Sequence, residues 1–156
     1  MAESRAGLLL GKVRAALVND PTIGSNAGPD GVVIGTGRPP APPRRMPFYV
    51  VRDEGVRTEC EDADYLHEVI GLAVDIYQQL RGGGGDEALV LGQGAAKGLL
   101  ELAAEVEQLL DGNDLGRFAE IVKTGESPCE IVQQQAGGCI GRRTVRFAAF
   151  VYAVSR

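Results

Sequence analysis

The sequence predicts an α+β fold: a single antiparallel or mixed β-sheet with two long strands, covered by two amphipathic helices. Two stretches carry the strand signal. Residues 143–155 alternate, with Thr144, Arg146, Ala148, Phe150, Tyr152 and Val154 on one face and Val145, Phe147, Ala149, Val151 and Ala153 on the other. Residues 66–80 set Ile70, Leu72, Val74 and Ile76 against Val69, Gly71, Ala73, Asp75 and Tyr77. Strands of this length cross a whole sheet and project past it. The third observation is a helical stripe in which Ala95, Leu99, Leu102, Ala103, Val106, Leu109 and Leu110 share one face, with Glu101, Glu105 and Gln108 outward.

Along the chain, residues 3–18 place Ala6, Leu9, Leu10, Val13, Ala16 and Leu17 at helical spacing, with Glu3, Arg5, Lys12 and Arg14 largely opposite. Asn19-Asp20-Pro21 ends that helix. Residues 22–46 are rich in Gly and Pro, and Arg38-Pro39-Pro40-Ala41-Pro42-Pro43-Arg44-Arg45 cannot form helix or central strand because proline lacks the backbone donor. An extended arm or loop is expected there, with a short strand at 32–34. A strand follows at 47–52, a weaker one at 56–60, and then the long strand from residue 66. Arg81-Gly82-Gly83-Gly84-Gly85-Asp86 breaks regular structure, so a second extended loop is expected over 81–93. The second helix spans about 94–111, with Gly112 suited to the position just past its end. Residues 114–122 add a helical turn or short strand, 129–135 alternate as a strand, and Gly137-Gly138 marks a turn before the closing strand.

A length of 156 residues suits one domain, 1–156, while 22 glycines and 8 prolines assign much of it to loops. The net charge of −5 argues against a dedicated nucleic-acid binder, which needs a concentrated basic surface. Cys60, Cys129 and Cys139 are odd in number and cannot all pair within one chain, so they read as reduced thiols of a cytosolic product. Charges at Glu3, Arg5, Lys12 and Arg14 interrupt any secretory signal at the N-terminus, and no stretch is long and apolar enough to span a bilayer.

The local motif matches are weak. Gly92-Gln93-Gly94-Ala95-Ala96-Lys97-Gly98 follows an apolar run and opens a helix, but a phosphate loop needs Gly-Lys followed by Ser or Thr, and Lys97 is flanked by Ala96 and Gly98. It reads as a flexible entry into a helix. The aromatics of residues 146–152 lack the glycine and the alternation of an RNA-recognition strand. His67 has no partners at metal-ligand spacing, Cys129 and Cys139 are not a close thiolate pair, and a Cys60–His67 nucleophilic pair depends on the fold. Glu101 and Glu105 read as a solvated helix face. Neither a catalytic nor a metal or cofactor site is therefore expected. The arginines are informative by position. Arg38, Arg44 and Arg45 lie in the proline-rich arm, Arg81 at the glycine tract, and Arg142 and Arg143 open the last strand with Arg146. Basic residues on projections of an acidic body suit contacts with acidic faces of neighbouring copies or of a partner.

The order of elements carries a resemblance. A helix Leu8-Leu9-Leu10-Gly11-Lys12-Val13-Arg14-Ala15-Ala16-Leu17 precedes a Gly/Pro loop and a strand introduced by Met46-Pro47-Phe48-Tyr49-Val50-Val51-Arg52. The long strand Glu68-Val69-Ile70-Gly71-Leu72-Ala73-Val74-Asp75-Ile76-Tyr77, the helix Leu99-Leu100-Glu101-Leu102-Ala103-Ala104-Glu105-Val106 and the closing strand from Arg143 follow. In this order the chain resembles the tail terminator, or tail-completion, proteins of tailed bacteriophages. The resemblance implies a virion structural protein, assembled in the host cytoplasm into a homo-hexameric ring in the tail and neck region. It implies a cap on the last ring of tail tube protein that ends tube polymerisation and presents a surface to a head-closure or neck protein. DNA would pass through without sequence-specific binding. A head-closure or neck adaptor protein is the alternative within phage connectors. Outside them stand a small enzyme or nucleotide-binding domain using residues 92–98, and a cytosolic adaptor that binds a small ligand or peptide.

Overall fold

The computed structural model describes residues 4–38, 45–62, 65–81, 85–135, 137–152 and 154–155. Helix α1 (Arg5–Asn19) opens at Ser4, whose hydroxyl accepts from the Gly7 amide at 3.1 Å. Its Leu9, Leu10, Val13 and Leu17 are buried. Asp20 then caps a second helix, α2 (Pro21–Ala27), its carboxylate accepting from Thr22 N and Ile23 N at 3.2 and 3.0 Å. Strand β1 (Val32–Ile34) lies parallel to β2 (Phe48–Asp62), which turns back antiparallel as β3 (Tyr65–Arg81). A short helix α3 (Asp86–Leu91), a tight hairpin of β4 (Gly92–Gln93) and β5 (Ala96–Lys97), and helix α4 (Leu99–Leu110) lead to β6 (Ala119–Glu126). Strands β7 (Glu130–Gln135), β8 (Gly138–Val151) and β9 (Val154–Ser155) complete the chain.

One seven-stranded sheet takes in every strand except β4 and β5, in the order β1-β2-β3-β8-β6, with β7 also on β8 and β9 on β3. Strand β8 is its spine. It pairs with β3 from Phe150 to Gly138, and along its other side with β6 and then β7, both antiparallel. Between those two, Ser127 keeps the line: its amide donates to Thr144 O and its hydroxyl accepts from Thr144 N, both at 2.9 Å. Strand β2 bulges between Asp53 and Gly55, and β6 between Lys123 and Gly125.

The two faces of this sheet are treated differently. Helices α1 and α4 cover one, burying Tyr49, Val51, Ile70, Leu72, Val74, Ile76, Val145, Phe147 and Ala149 against Leu9, Leu17, Leu102, Val106 and Leu110. Gly141 leaves room for α3, since a Cβ there would lie 2.4 Å from Leu89 Cδ2. The opposite face holds a smaller cluster, Phe48, Val50, Tyr77 and Ile140, with Val33, Met46 and Val132 against it. No helix packs there among the described residues.

The α+β class, both faces of residues 66–80 and those of residues 143–151 are as the sequence predicts, and Gly112, at φ 80°, lies just past α4. Five expectations are corrected. The closing strand is not continuous to residue 155: β8 ends at Val151, and β9 resumes one register step out of line, with Val154 opposite Leu66 and so off the Phe150 face. The 22–46 segment is not all arm, because Pro21 serves as the first residue of α2 rather than only as the stop of α1. The loop over 81–93 contains α3 and β4, with Arg81 inside β3. Strands expected at 47–52 and 56–60 are one strand kinked by a bulge. Helix α4 begins at Leu99, because Gly92 and Gly98 cross too closely for helix: a Cβ on Gly98 would stand 2.4 Å from Gly92 N. The proline run 39–44 and the glycines 82–84 lie outside the described residues.

Candidate functional site

The helix-free face is read most simply as rungs, because strand register places residues from four strands side by side. The first rung is Phe48, Tyr77, Arg142 and Glu130, and the second is Val50, Asp75 and Thr144. Arg52, Ala73, Arg146 and Gly125 form the third. The fourth is Gly55, Gly71, Ala148 and Val122, and the fifth is Arg57, Val69, Phe150 and Glu120.

Charge is concentrated and internally satisfied on the first three rungs. Asp75 is fully buried and accepts from Arg52 Nε at 2.8 Å and from Thr144 Oγ1 at 2.6 Å. Burial alone would lower the Arg52 pKa, yet Asp75, with Glu54 beside it, holds it above the ordinary value. Glu54, the extra residue of the β2 bulge, leans over Gly71 and accepts from Arg52 at 3.1 Å and from Arg146 at 2.9 Å. Arg142 bonds Glu130 at 2.5 Å. Burial raises the Tyr77 pKa, partly offset by Arg142, and the Tyr77 hydroxyl donates to Gly37 O at 3.3 Å. Gly37 itself packs on Arg52 and Asp75, in the middle of this face.

The fourth rung is nearly bare of side chains, and a groove of about 600 Å³ opens over it. Glu54 and Arg146 stand on one side, Arg57 and Val69 on the other, with Gly71 and Ala148 between. At its β6 end and past it the surface turns apolar: Val122, Phe150 and Tyr152 are 39%, 40% and 47% exposed. Exposed apolar residues grouped on one face mark an interaction surface more often than scattered ones do.

The structure separates the arginines singled out by sequence. Arg38 is exposed where the chain leaves Gly37, and Arg45 is exposed where it returns, 3.5 Å from Ser25 O. Arg44 lies outside the described residues, and Arg81 is placed by its backbone alone, opposite Gly138. Arg142 and Arg143 are neighbours on a strand and therefore point to opposite faces. Arg143 stands on the helix side, bonded to Glu126 and 3.6 Å from Cys129 Sγ. Neither sits on a projection, and both have carboxylate partners within the chain. Glu105 is likewise no free solvated carboxylate. It holds Lys97 at 2.5 Å and Asn26 at 2.9 Å, and Asn26 reaches the buried Tyr49 hydroxyl at 3.4 Å, whose pKa burial pushes up to about 12. Lys97 thus ties the β4–β5 hairpin to α4. Cys129 and Cys139 are free, and burial raises the Cys139 thiol. The side chains of Cys60 and His67 lie outside the described residues.

Sequence reasoning missed the groove itself. Its one available signal was Asp75, a carboxylate in the middle of an apolar strand, whose burial requires donors on neighbouring strands. In comparisons with known proteins, no family model matches this chain and no curated protein matches it.

Proposed function

We propose that the chain is a structural ring subunit of the tail-terminator type, which caps a phage tail tube, ends its growth and joins tail to head. The observation that carries the reading is the one-sided sheet, packed by helices on one face and left with an open groove and an apolar border on the other. The sheet's edges support it as well. Past Val51, strand β2 has no strand on its outer side among the described residues, and β6 with β7 forms the opposite edge. Two unlike edges favour head-to-tail contacts between copies, and such contacts close into a ring when the rotation allows.

The charge distribution fits a passage for DNA that repels phosphate. Residues 53–68 hold seven carboxylates against Arg57 as the one Lys or Arg, in a chain whose whole net charge is −5. An acidic β2–β3 hairpin turned toward a lumen would let duplex DNA slide without holding it. The test is the mass and shape of the purified protein by light scattering and negative-stain imaging, alone and with tail tubes. Six copies of a 16.4 kDa chain give about 100 kDa, with rings at tube ends. A monomer that ignores tubes but binds a portal complex points to the head-closure alternative instead, and one that ignores both ends the phage reading.

A further inference from the structure

We infer that the groove over Gly71 and Ala148 receives the proline–arginine arm, residues 38–45, of a second copy; this rests on the reading of the chain as a ring subunit. The arm's chemistry suits that site. Pro39, Pro40, Pro42 and Pro43 have no backbone donors, so the segment cannot add to a sheet edge by main-chain pairing. Proline-rich segments are instead recognised by grooves bordered with aromatic side chains. Phe150, in the rung of Val69 and Arg57, stands on the groove's far border, and Tyr152, just past the end of β8, is exposed as well.

The groove's width agrees. Its walls, the rungs of Ala73 and Val69, are separated by four residues of strand, about 13 Å, with only Gly71 and Ala148 raised between them. Charge adds direction: the arm carries +3 and no carboxylate in a chain of net −5, which leaves −8 on the rest. Glu120, directly across from Phe150, is exposed and makes no ion pair among the described residues, so it is open to Arg44 of the incoming arm, whereas Arg45 stays on its own α2 at Ser25 O.

Reach decides between a chain's own arm and a neighbour's. The arm leaves from Gly37, over Arg52 and Asp75, and returns at Met46, which packs by Phe48 and Tyr77. Nine steps of chain between those points extend at most about 32 Å. Running out to Phe150 and back along the strands takes about 45 Å at ~3.3 Å per residue. A chain cannot lay its own arm on its own Phe150; a neighbour can.

The experiment titrates a synthetic peptide of residues 36–47 into the full chain, held dilute enough to be monomeric, and follows amide shifts. Saturable shifts at Val122, Ala148 and Phe150 are expected, with affinity falling at least ten-fold for Phe150→Ala. A peptide with Arg44→Glu should bind at least ten-fold more weakly, and Glu120→Lys in the protein should restore it. Shifts confined elsewhere, or none, overturn the arm assignment, even where light scattering shows a ring. Peptide binding in the groove by a chain that stays monomeric, with and without tail tubes, keeps the contact and overturns the ring.

Discussion

The two faces of the sheet solve the same problem, covering a β-surface, by different means. On the helix side, apolar stripes from α1 and α4 interlock with branched and aromatic side chains, and a core nearly free of charge results. On the open side, five rungs pass from a small apolar cluster through a bonded array of Arg52, Asp75, Thr144, Glu54 and Arg146 to bare backbone and then to exposed aromatics. The helix side accounts for folding. The open side sets buried charge and glycine beneath a surface that stays accessible.

The comparison can be broken first on the helix side. Phe147, 2% exposed, points into the helical layer, so Phe147→Ala should lower stability by about 3–5 kcal/mol in urea unfolding. A loss below ~1 kcal/mol would mean the helices are only loosely seated. Next in size is Asp75→Ala, which strips Arg52 and Thr144 of their shared acceptor and should lower stability by about 3 kcal/mol. An unchanged unfolding midpoint would show the open face to be indifferent to its charge array.

A smaller effect appears with pH. Lys123, and then Arg143, hold the Glu126 carboxyl below its ordinary value of 4.5 despite the burial that opposes them. A depressed carboxylate contributes stability that is fully present above the unfolded-state pKa and is lost as pH falls through the folded one. The contribution should therefore fade only below about pH 4.5, and Glu126→Gln should flatten that acid limb by under ~1 kcal/mol, as befits a partly exposed pair. Stability rising as pH drops below that value would contradict the sign. Smallest in stability is Ala148→Leu, which fills the groove floor from a half-exposed position. It should leave unfolding within about 1 kcal/mol of wild type while weakening self-association, read by light scattering; intact association would clear the groove of any role.

What could be read from sequence and what could not divides along the same line. Alternation in residues 66–80 and 143–151 gave both faces of β3 and of most of β8, because side chains on a strand have period two whatever the partners are, but it carried no sign of the register break that puts Val154 opposite Leu66. The stripe of α4 was equally plain. Helix α2 was hidden because Pro21 reads as a stop until Asp20 is seen capping a second helix, and Gly24 and Asn26 are poor helix formers. The groove was hidden for a deeper reason. Gly55, Gly71 and Ala148 mean nothing singly and become one floor only through pairing registers that include the β2 bulge. Asp75 was placed on the correct face by alternation, but its partner Thr144 lies 69 positions away.

The most direct test of the account is hydroxyl-radical footprinting of dilute and assembled protein. Phe150, on the open face, and Tyr152, exposed just past the end of β8, should be labelled in the dilute chain and protected in the assembly. Leu91 and Leu100, exposed at 60% and 39% on the helical layer, should be labelled equally in both. Protection of Leu91 and Leu100 with Phe150 and Tyr152 unchanged would place the contact on the helices and contradict the assignment of the open face to association.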